Sequence, residues 1–157
     1  MANFNKKVLF LNFSLLFLFI LDRFGKWFAL NLLSEKGVFI IPKIAGFILE
    51  RNQGIAYSIP LSGPALIITV LIILALLVFI LSRAYQKKEL TIIFSLSLII
   101  VGAFSNFLDR LRYDYVIDFI TLTSWPVFNL ADMMITVGVF IILWKMIRKR
   151  KEVGIVK

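Results

Sequence analysis

Hydrophobic positions along this chain fall into four long stretches, separated by short polar breaks and by segments rich in glycine and proline. Pro64 to Ser82 is the cleanest stretch. It carries no charge, approaches the roughly 20 residues a helix needs to cross a bilayer, and opens on a proline suited to a first helical turn. Leu90 to Leu108 ends at Asp109-Arg110, and a stretch from near Asn129 to Ile147 is stopped by Arg148-Lys149-Arg150-Lys151. The first run, Val8 to Leu21, spans 14 residues before Asp22-Arg23. It reaches bilayer length only by continuing through Trp27-Phe28-Ala29-Leu30 to about Leu33. A cleaved signal peptide is the rival reading of this start. No small-x-small cleavage site follows it, however, and cleavage would discard Asp22 and Lys26.

Residues 34–62 have a different texture. Gly37, Pro42, Gly46, Gly54 and Pro60 punctuate short β-branched and aromatic runs such as Val38-Phe39-Ile40-Ile41 and Gly46-Phe47-Ile48-Leu49. That pattern predicts strands and turns rather than a span. Tyr113 to Thr123 reads as extended, and Ser124-Trp125-Pro126 as a turn with Trp125 as an interface anchor. The expected architecture is an all-α membrane protein, a four-transmembrane-helix bundle with a small outer-side β-sheet cradle, forming one domain over 1–157. The helices are expected at about 8–33, 64–82, 90–109 and 129–147. The β regions are expected at about 34–62 and 111–128, with a cytoplasmic loop at 83–89 and a tail at 148–157.

Composition agrees with lipid as the solvent: 61% of residues are hydrophobic, and mean hydropathy is +0.94. A net charge of +9 suggests a nucleic-acid binder only until the charges are placed. Lys6, Lys7, Arg83, Lys87, Lys88 and the cations from Lys145 to Lys157 oppose only Glu89 and Glu152, whereas elsewhere seven cations balance seven acids. Excess positive charge at both termini and one central loop is the positive-inside pattern of an even number of spans, with both termini cytoplasmic. The basicity therefore reports topology, and no nucleic-acid partner is expected.

The chain has no histidine and no cysteine, so acid–base chemistry must run on carboxylates, lysines, hydroxyls or water. With this topology every acid except Glu89 and Glu152 lies near or beyond the outer face. Asp22 and Lys26 share a helix face. Gly102, Asn106 and Asp109 form a stripe at the outer end of the third helix, with Arg110 adjacent, and Asn129, Asp132 and Thr136 do the same on the fourth. Asp118 sits in an extended stretch between Ile117 and Phe119. Two facing carboxylates share one proton, so the charged one can activate water while the neutral one protonates a carbonyl. Asn52, Asn106, Asn129 and Arg110 can hold such a pair and a peptide backbone by hydrogen bonds.

Plainer readings stand beside this one. Asp22–Lys26 can be an interface ion pair, Asp109-Arg110 a structural clamp, and Asp132 a first-turn acid at a helix N-terminus. Gly102 can serve close helix packing, and Asp114 and Glu35 can be solvated charges. Competing functions are a serine–lysine protease, with Lys26 activating Ser58, Ser105 or Ser124, and a proton-coupled carrier.

The stretches DRFGK (22–26), RNQGIAYS (51–58), VGAFSNFLDR (101–110), VIDFI (116–120) and FNLADMMITVG (128–138) resemble, in order, those of the lipoprotein signal peptidases (signal peptidase II). The resemblance implies a bacterial membrane aspartic endopeptidase of the cytoplasmic membrane, with its site near the outer face. Such an enzyme cleaves prolipoproteins just before a diacylglyceryl-modified cysteine. It implies Asp118 and Asp132 as catalytic acids, with Asp22, Lys26, Asn52, Asn106, Asp109, Arg110 and Asn129 supporting and Gly54 and Gly102 at close approaches. It also implies no metal or cofactor, membrane phospholipids as surroundings, and inhibition by peptide-like compounds such as globomycin; a monomer is expected. Gly25, Ile55 and Ser105 depart from the family pattern, and the loop between the two acids is short. Residues 34–62 are expected to cover the acids.

Overall fold

The computed structural model describes residues 2–34, 36–54, 63–123 and 125–152. Helices α1 (Ala2–Leu32), α2 (Gly63–Gln86), α3 (Leu90–Tyr113) and α4 (Leu130–Glu152) alternate in direction. Each contains a segment long and apolar enough to cross a membrane. Large apolar side chains such as Phe13, Phe17, Ile72, Phe79 and Phe140 are exposed along them. Apolar surface on that scale is stable only against lipid, so the chain is a multi-pass membrane protein. All four helices run beyond the expected hydrocarbon stretches, α1 beginning at Ala2 and α4 continuing to Glu152. Long cationic side chains near the ends let helices outrun the hydrocarbon, because their stems lie along apolar surface while their heads reach water.

Helix α3 is the centre of the bundle, packed against α1, α2, α4 and the sheet. Two of its contacts depend on small residues. A Cβ on Gly102 would sit 2.5 Å from the Ala131 carbonyl of α4, and one on Gly138 of α4 would sit 2.6 Å from the Ser95 carbonyl of α3. Lipid supplies no hydrophobic drive between helices, so such close approach, with its dispersion contacts, substitutes for it. One end of the bundle is joined by Lys145 of α4 donating to Glu89, just before α3, at 2.7 Å. The Lys145 hydrogen bond and charge hold the Glu89 carboxyl below its ordinary range. Both side chains are more than a third exposed, so the link is worth no more than about 1 kcal/mol.

At the opposite end lies an antiparallel sheet of β1 (Val38–Ile41), β2 (Ala45–Asn52), β3 (Val116–Leu122) and β4 (Trp125–Phe128), in that spatial order. Helix α3 stops at Asp114, whose left-handed φ of 63° lets its N–H return to the Arg110 carbonyl at 3.1 Å. Aspartate tolerates this conformation better than most residues. The stop turns the chain directly into β3, whose Val116, Ile117, Asp118 and Phe119 are all buried. Ile117 and Phe119 pack on Ala29 of α1, fixing the sheet to the bundle. The Phe119 ring occupies the space a side chain at position 25 would take, since a Cβ there would meet it at 2.6 Å. Gly25 is therefore matched to Phe119.

These two glycines should respond differently to added bulk. Gly102→Val is expected to lower stability by about 1–3 kcal/mol or more, because the obstacle is backbone. Gly25→Thr should cost a similar amount, but Phe119→Leu in the same chain should recover part of it. Thermal unfolding in detergent of the single and double variants checks both. Additive losses at positions 25 and 119 would refute the matched pair.

Candidate active site

Lys26 is the anchor of a buried polar centre. It is fully buried, and its ammonium faces Asp109 Oδ2 at 2.7 Å, Asn106 Oδ1 at 2.7 Å and Asp22 Oδ2 at 3.2 Å. An ammonium has three donors and no acceptor, so all three are used. Asp22 and Asp109 are fully buried as well, so the 22–26 pair is not a surface ion pair. Asp22 Oδ1 accepts the Ala131 N–H at 2.9 Å, and its Oδ2 accepts the Ser105 hydroxyl at 2.6 Å. Arg23 donates to Asp109 Oδ1 at 2.5 Å and to the Ser105 hydroxyl at 3.3 Å. The four ionic groups balance in charge, and among the described residues no buried side-chain nitrogen or oxygen lacks a partner.

This centre orients Asn106 and, through it, Asn129; a third asparagine, Asn52, is oriented by its own turn. Because Lys26 can only donate, Asn106 must turn its carbonyl toward it, which leaves its amide to donate to Asp132 Oδ1 at 2.8 Å. Asn129 precedes the first turn of α4. Its carbonyl accepts the Asp132 N–H at 2.9 Å, and its amide reaches Asp118 Oδ1 at 2.6 Å and Asn106 Oδ1 at 3.1 Å. Asn52, at the end of β2, accepts the Gly54 N–H at 3.0 Å and donates to Asp118 Oδ2 at 3.0 Å. In each case a donor holds the carbonyl, which leaves the NH₂ to donate to a carboxylate. Asp132 Oδ2 also accepts the Asn129 backbone N–H at 3.2 Å, closing a reciprocal cap of the helix. Asp118 and Asp132 are thus held from opposite sides of one residue, Asn129.

Asp118 projects from a buried strand and is 1% exposed. Burial pushes its carboxyl up to about 7, with the charge of Asp132 adding to the rise and the hydrogen bonds from Asn52 and Asn129 opposing it. The pair therefore has a member that is part protonated near neutral pH. Among the described residues no cluster of three His, Cys, Asp or Glu could hold a metal ion. Asp118 and Asp132 are groups able to give and take protons.

The predicted site residues Asp22, Lys26, Asn52, Asn106, Asp109, Asn129, Asp118 and Asp132 form one connected network. Arg110 lies at its edge and donates to the Gly54 carbonyl at 3.1 Å. Asp109 takes its cations from α1, Arg23 and Lys26, rather than from its neighbour Arg110. Gly102 acts one turn away, letting the Ala131 carbonyl of α4 approach. Sequence reasoning missed Arg23. Its one available signal was a cation beside Asp22 at the outer end of an apolar helix. Ser105 points into the ionic centre, where it links Asp22 to Arg23. Ile55, Ser58, Ser124 and Glu35 lie outside the described residues.

Solved structures place this architecture. Two described as bacterial membrane enzymes share it, one with a TM-score of 0.79 at 24% identity, covering 94% of this chain and 91% of that one. The other has a TM-score of 0.73 at 27% identity, covering 90% and 92%. The fold is that of a membrane enzyme. Residues 14–148 match the family described as Signal peptidase (SPase) II, and the chain belongs to that family of peptidases. A protein named lipoprotein signal peptidase from Thermodesulfovibrio yellowstonii is 32% identical over 142 residues, covering 87% of this chain and 93% of the relative. One of the same name from Streptococcus thermophilus is 38% identical over 133 residues, covering 80% and 86%.

Two outcomes test the centre. Lys26→Met leaves Asp22 and Asp109 buried with one cation between them, and is expected to cost about 3–5 kcal/mol in detergent unfolding. The raised Asp118 carboxyl means the folded state binds a proton that the unfolded chain, with a value near 3.8, has released. Stability should therefore fall as pH rises from 3.8 through about 7, by at most about 4 kcal/mol. Asp118→Asn removes that loss, so melting profiles of parent and variant should diverge toward alkaline pH, with the variant the more stable. Parallel profiles would contradict it.

Proposed function

We propose that Asp118 and Asp132 are the catalytic dyad of an aspartic endopeptidase. It removes signal peptides from prolipoproteins, cleaving just before the diacylglyceryl-modified cysteine. The observation that carries this reading is Asn129, which holds both carboxylates through one residue while Asn52 and Asn106 donate to their far sides. The family, and relatives named for lipoprotein signal peptide removal, support the substrate class.

In the proposed reaction Asp132 is ionised and Asp118 protonated. Water attacks the scissile carbonyl carbon as Asp132 takes its proton and Asp118 gives its own to the carbonyl oxygen, forming a neutral gem-diol. On collapse the C–N bond breaks. Asp132 returns its proton to the leaving nitrogen, and Asp118 recovers one from a gem-diol hydroxyl. Both groups end as they began. Arg110 and the Gly54 carbonyl it holds border the path of the peptide strand.

The dyad is placed near the outer face of a bacterial cytoplasmic membrane, with both termini cytoplasmic. This rests on the cationic ends of α1, α2 and α4 lying away from it. The lipid-modified precursor then arrives by lateral diffusion with its acyl chains among membrane phospholipids, to an enzyme working as a monomer. A cover over the dyad would be built partly from residues 55–62, which lie outside the described residues. The serine–lysine route is disfavoured by Lys26 itself, whose donors go to Asp22, Asp109 and Asn106. A carrier role has no support from a peptidase family.

Cleavage of a diacylglyceryl precursor in detergent tests the dyad. Asp118→Asn and Asp132→Asn should each lower kcat by about a hundredfold or more, while Ser105→Ala keeps cleavage within about tenfold of the parent. Retained activity in either aspartate variant would exclude the dyad. Loss in Ser105→Ala with both aspartates intact would favour the serine route.

A further inference from the structure

A cavity of about 440 Å³ opens between α1, α3 and β3, and neither Asp118 nor Asp132 is among its described lining residues. Its inner wall is Lys26 and Ile117, residues that also bond to Asn106 and Asn129. Arg23, Trp27, Leu30, Asn31, Arg112 and Tyr113 line the rest, with no carboxylate among the described lining residues. Charge decides what such a cavity can hold. Lys26 and Arg23 are offset by Asp22 and Asp109. Arg112 lies 5.1 Å from the Tyr113 ring centroid and has no carboxylate partner among the described residues. One positive charge therefore remains uncompensated at the cavity. Asp114, two residues further on, lines a different cavity with Arg110 and Gln53.

The surroundings narrow the ligand further. Trp27 is exposed and stacked with exposed Phe24 at 5.8 Å, and Phe28 and Leu32 are exposed beyond them on the same helix. An anion with apolar chains attached would place its charge at Arg112 and its chains along these side chains. Guanidinium groups suit phosphate oxygens, and 440 Å³ is within the usual range for a small-molecule site. We propose that this cavity binds a phosphate monoanion, the phosphodiester headgroup of an anionic phospholipid, with Arg112 as its principal charge contact. The site is separate from the dyad and does not depend on the proposed peptidase chemistry.

Native mass spectrometry of the detergent-purified full chain, titrated with dioleoyl phosphatidylglycerol or dioleoyl phosphatidylcholine, tests it. The parent should retain one phosphatidylglycerol in preference to phosphatidylcholine. Arg112→Gln should reduce that retention about fivefold, the loss of one cationic contact, and Arg112→Lys should restore part of it. Circular dichroism checks the fold of each variant; if Arg112→Gln does not fold, Arg112→Lys carries the comparison, retaining less lipid than the parent. Equal retention of both lipids, or undiminished phosphatidylglycerol retention in the folded variants, would overturn the proposal. Inorganic phosphate raising the melting temperature of the parent but not of Arg112→Gln, without lipid retention, would overturn the lipid assignment and leave a free-phosphate site.

Discussion

The ammonium of Lys26 is the constraint on which the rest depends. With no acceptor of its own and three acceptors around it, it fixes the direction of every group it touches. The Asn106 amide can face only one way once its carbonyl is bound to that ammonium, and the same logic passes through Asn129 to Asp118. Neutral asparagines are well suited to this task. They carry orientation from an ion pair to the acids without bringing another charge beside them. A carboxylate in their place would repel the dyad, and an apolar residue would leave donors and acceptors unmet.

Such a centre is costly to bury. Four ionic groups taken from water lose several kcal/mol each in hydration, recovered only when geometry is good and every remaining lone pair is satisfied. The fold meets that condition by drawing partners from three helices at once. Asp22 and Lys26 come from α1, Ser105, Asn106 and Asp109 from α3, and the Ala131 N–H from α4. Gly102 lets α4 come close enough to offer its backbone. Packing and polar satisfaction therefore depend on one another. A helix displaced by an ångström would cost both dispersion contacts and hydrogen bonds.

The spans were legible because apolar length is a strong signal. Strands β1, β2 and β3 were legible because β-branched and aromatic runs favour extended backbone, whereas Trp125-Pro126, expected as a turn, opens β4, a proline being tolerated at a sheet edge. The acids stood out by their scarcity in a chain lacking imidazole and thiol. The choice between Arg23 and Arg110 as the partner of Asp109 was not legible. Neighbours on a helix point about 100° apart, so which guanidinium reaches a carboxylate depends on how α1 is rotated against α3, and nothing local encodes that rotation. The pairing of Asn52 with Val116 and of Glu50 with Asp118 across β2 and β3 was equally hidden, because it joins segments far apart in the chain. Ser105 stood out only as a departure from the family pattern and a candidate nucleophile, whereas its direction in space makes it a link in the ionic centre.

The inner turn between α2 and α3 is only Lys87, Lys88 and Glu89, closed by the left-handed Lys88 and by the Glu89 N–H on the Ala84 carbonyl. So short a connection makes the two helices an antiparallel hairpin. The most apolar 18-residue stretch has mean hydropathy 3.3 in α2 but 2.0 in α3, whose far end carries Asn106, Asp109 and Arg110. The more apolar arm thus supplies the drive for insertion, and the arm bearing polar groups travels with it.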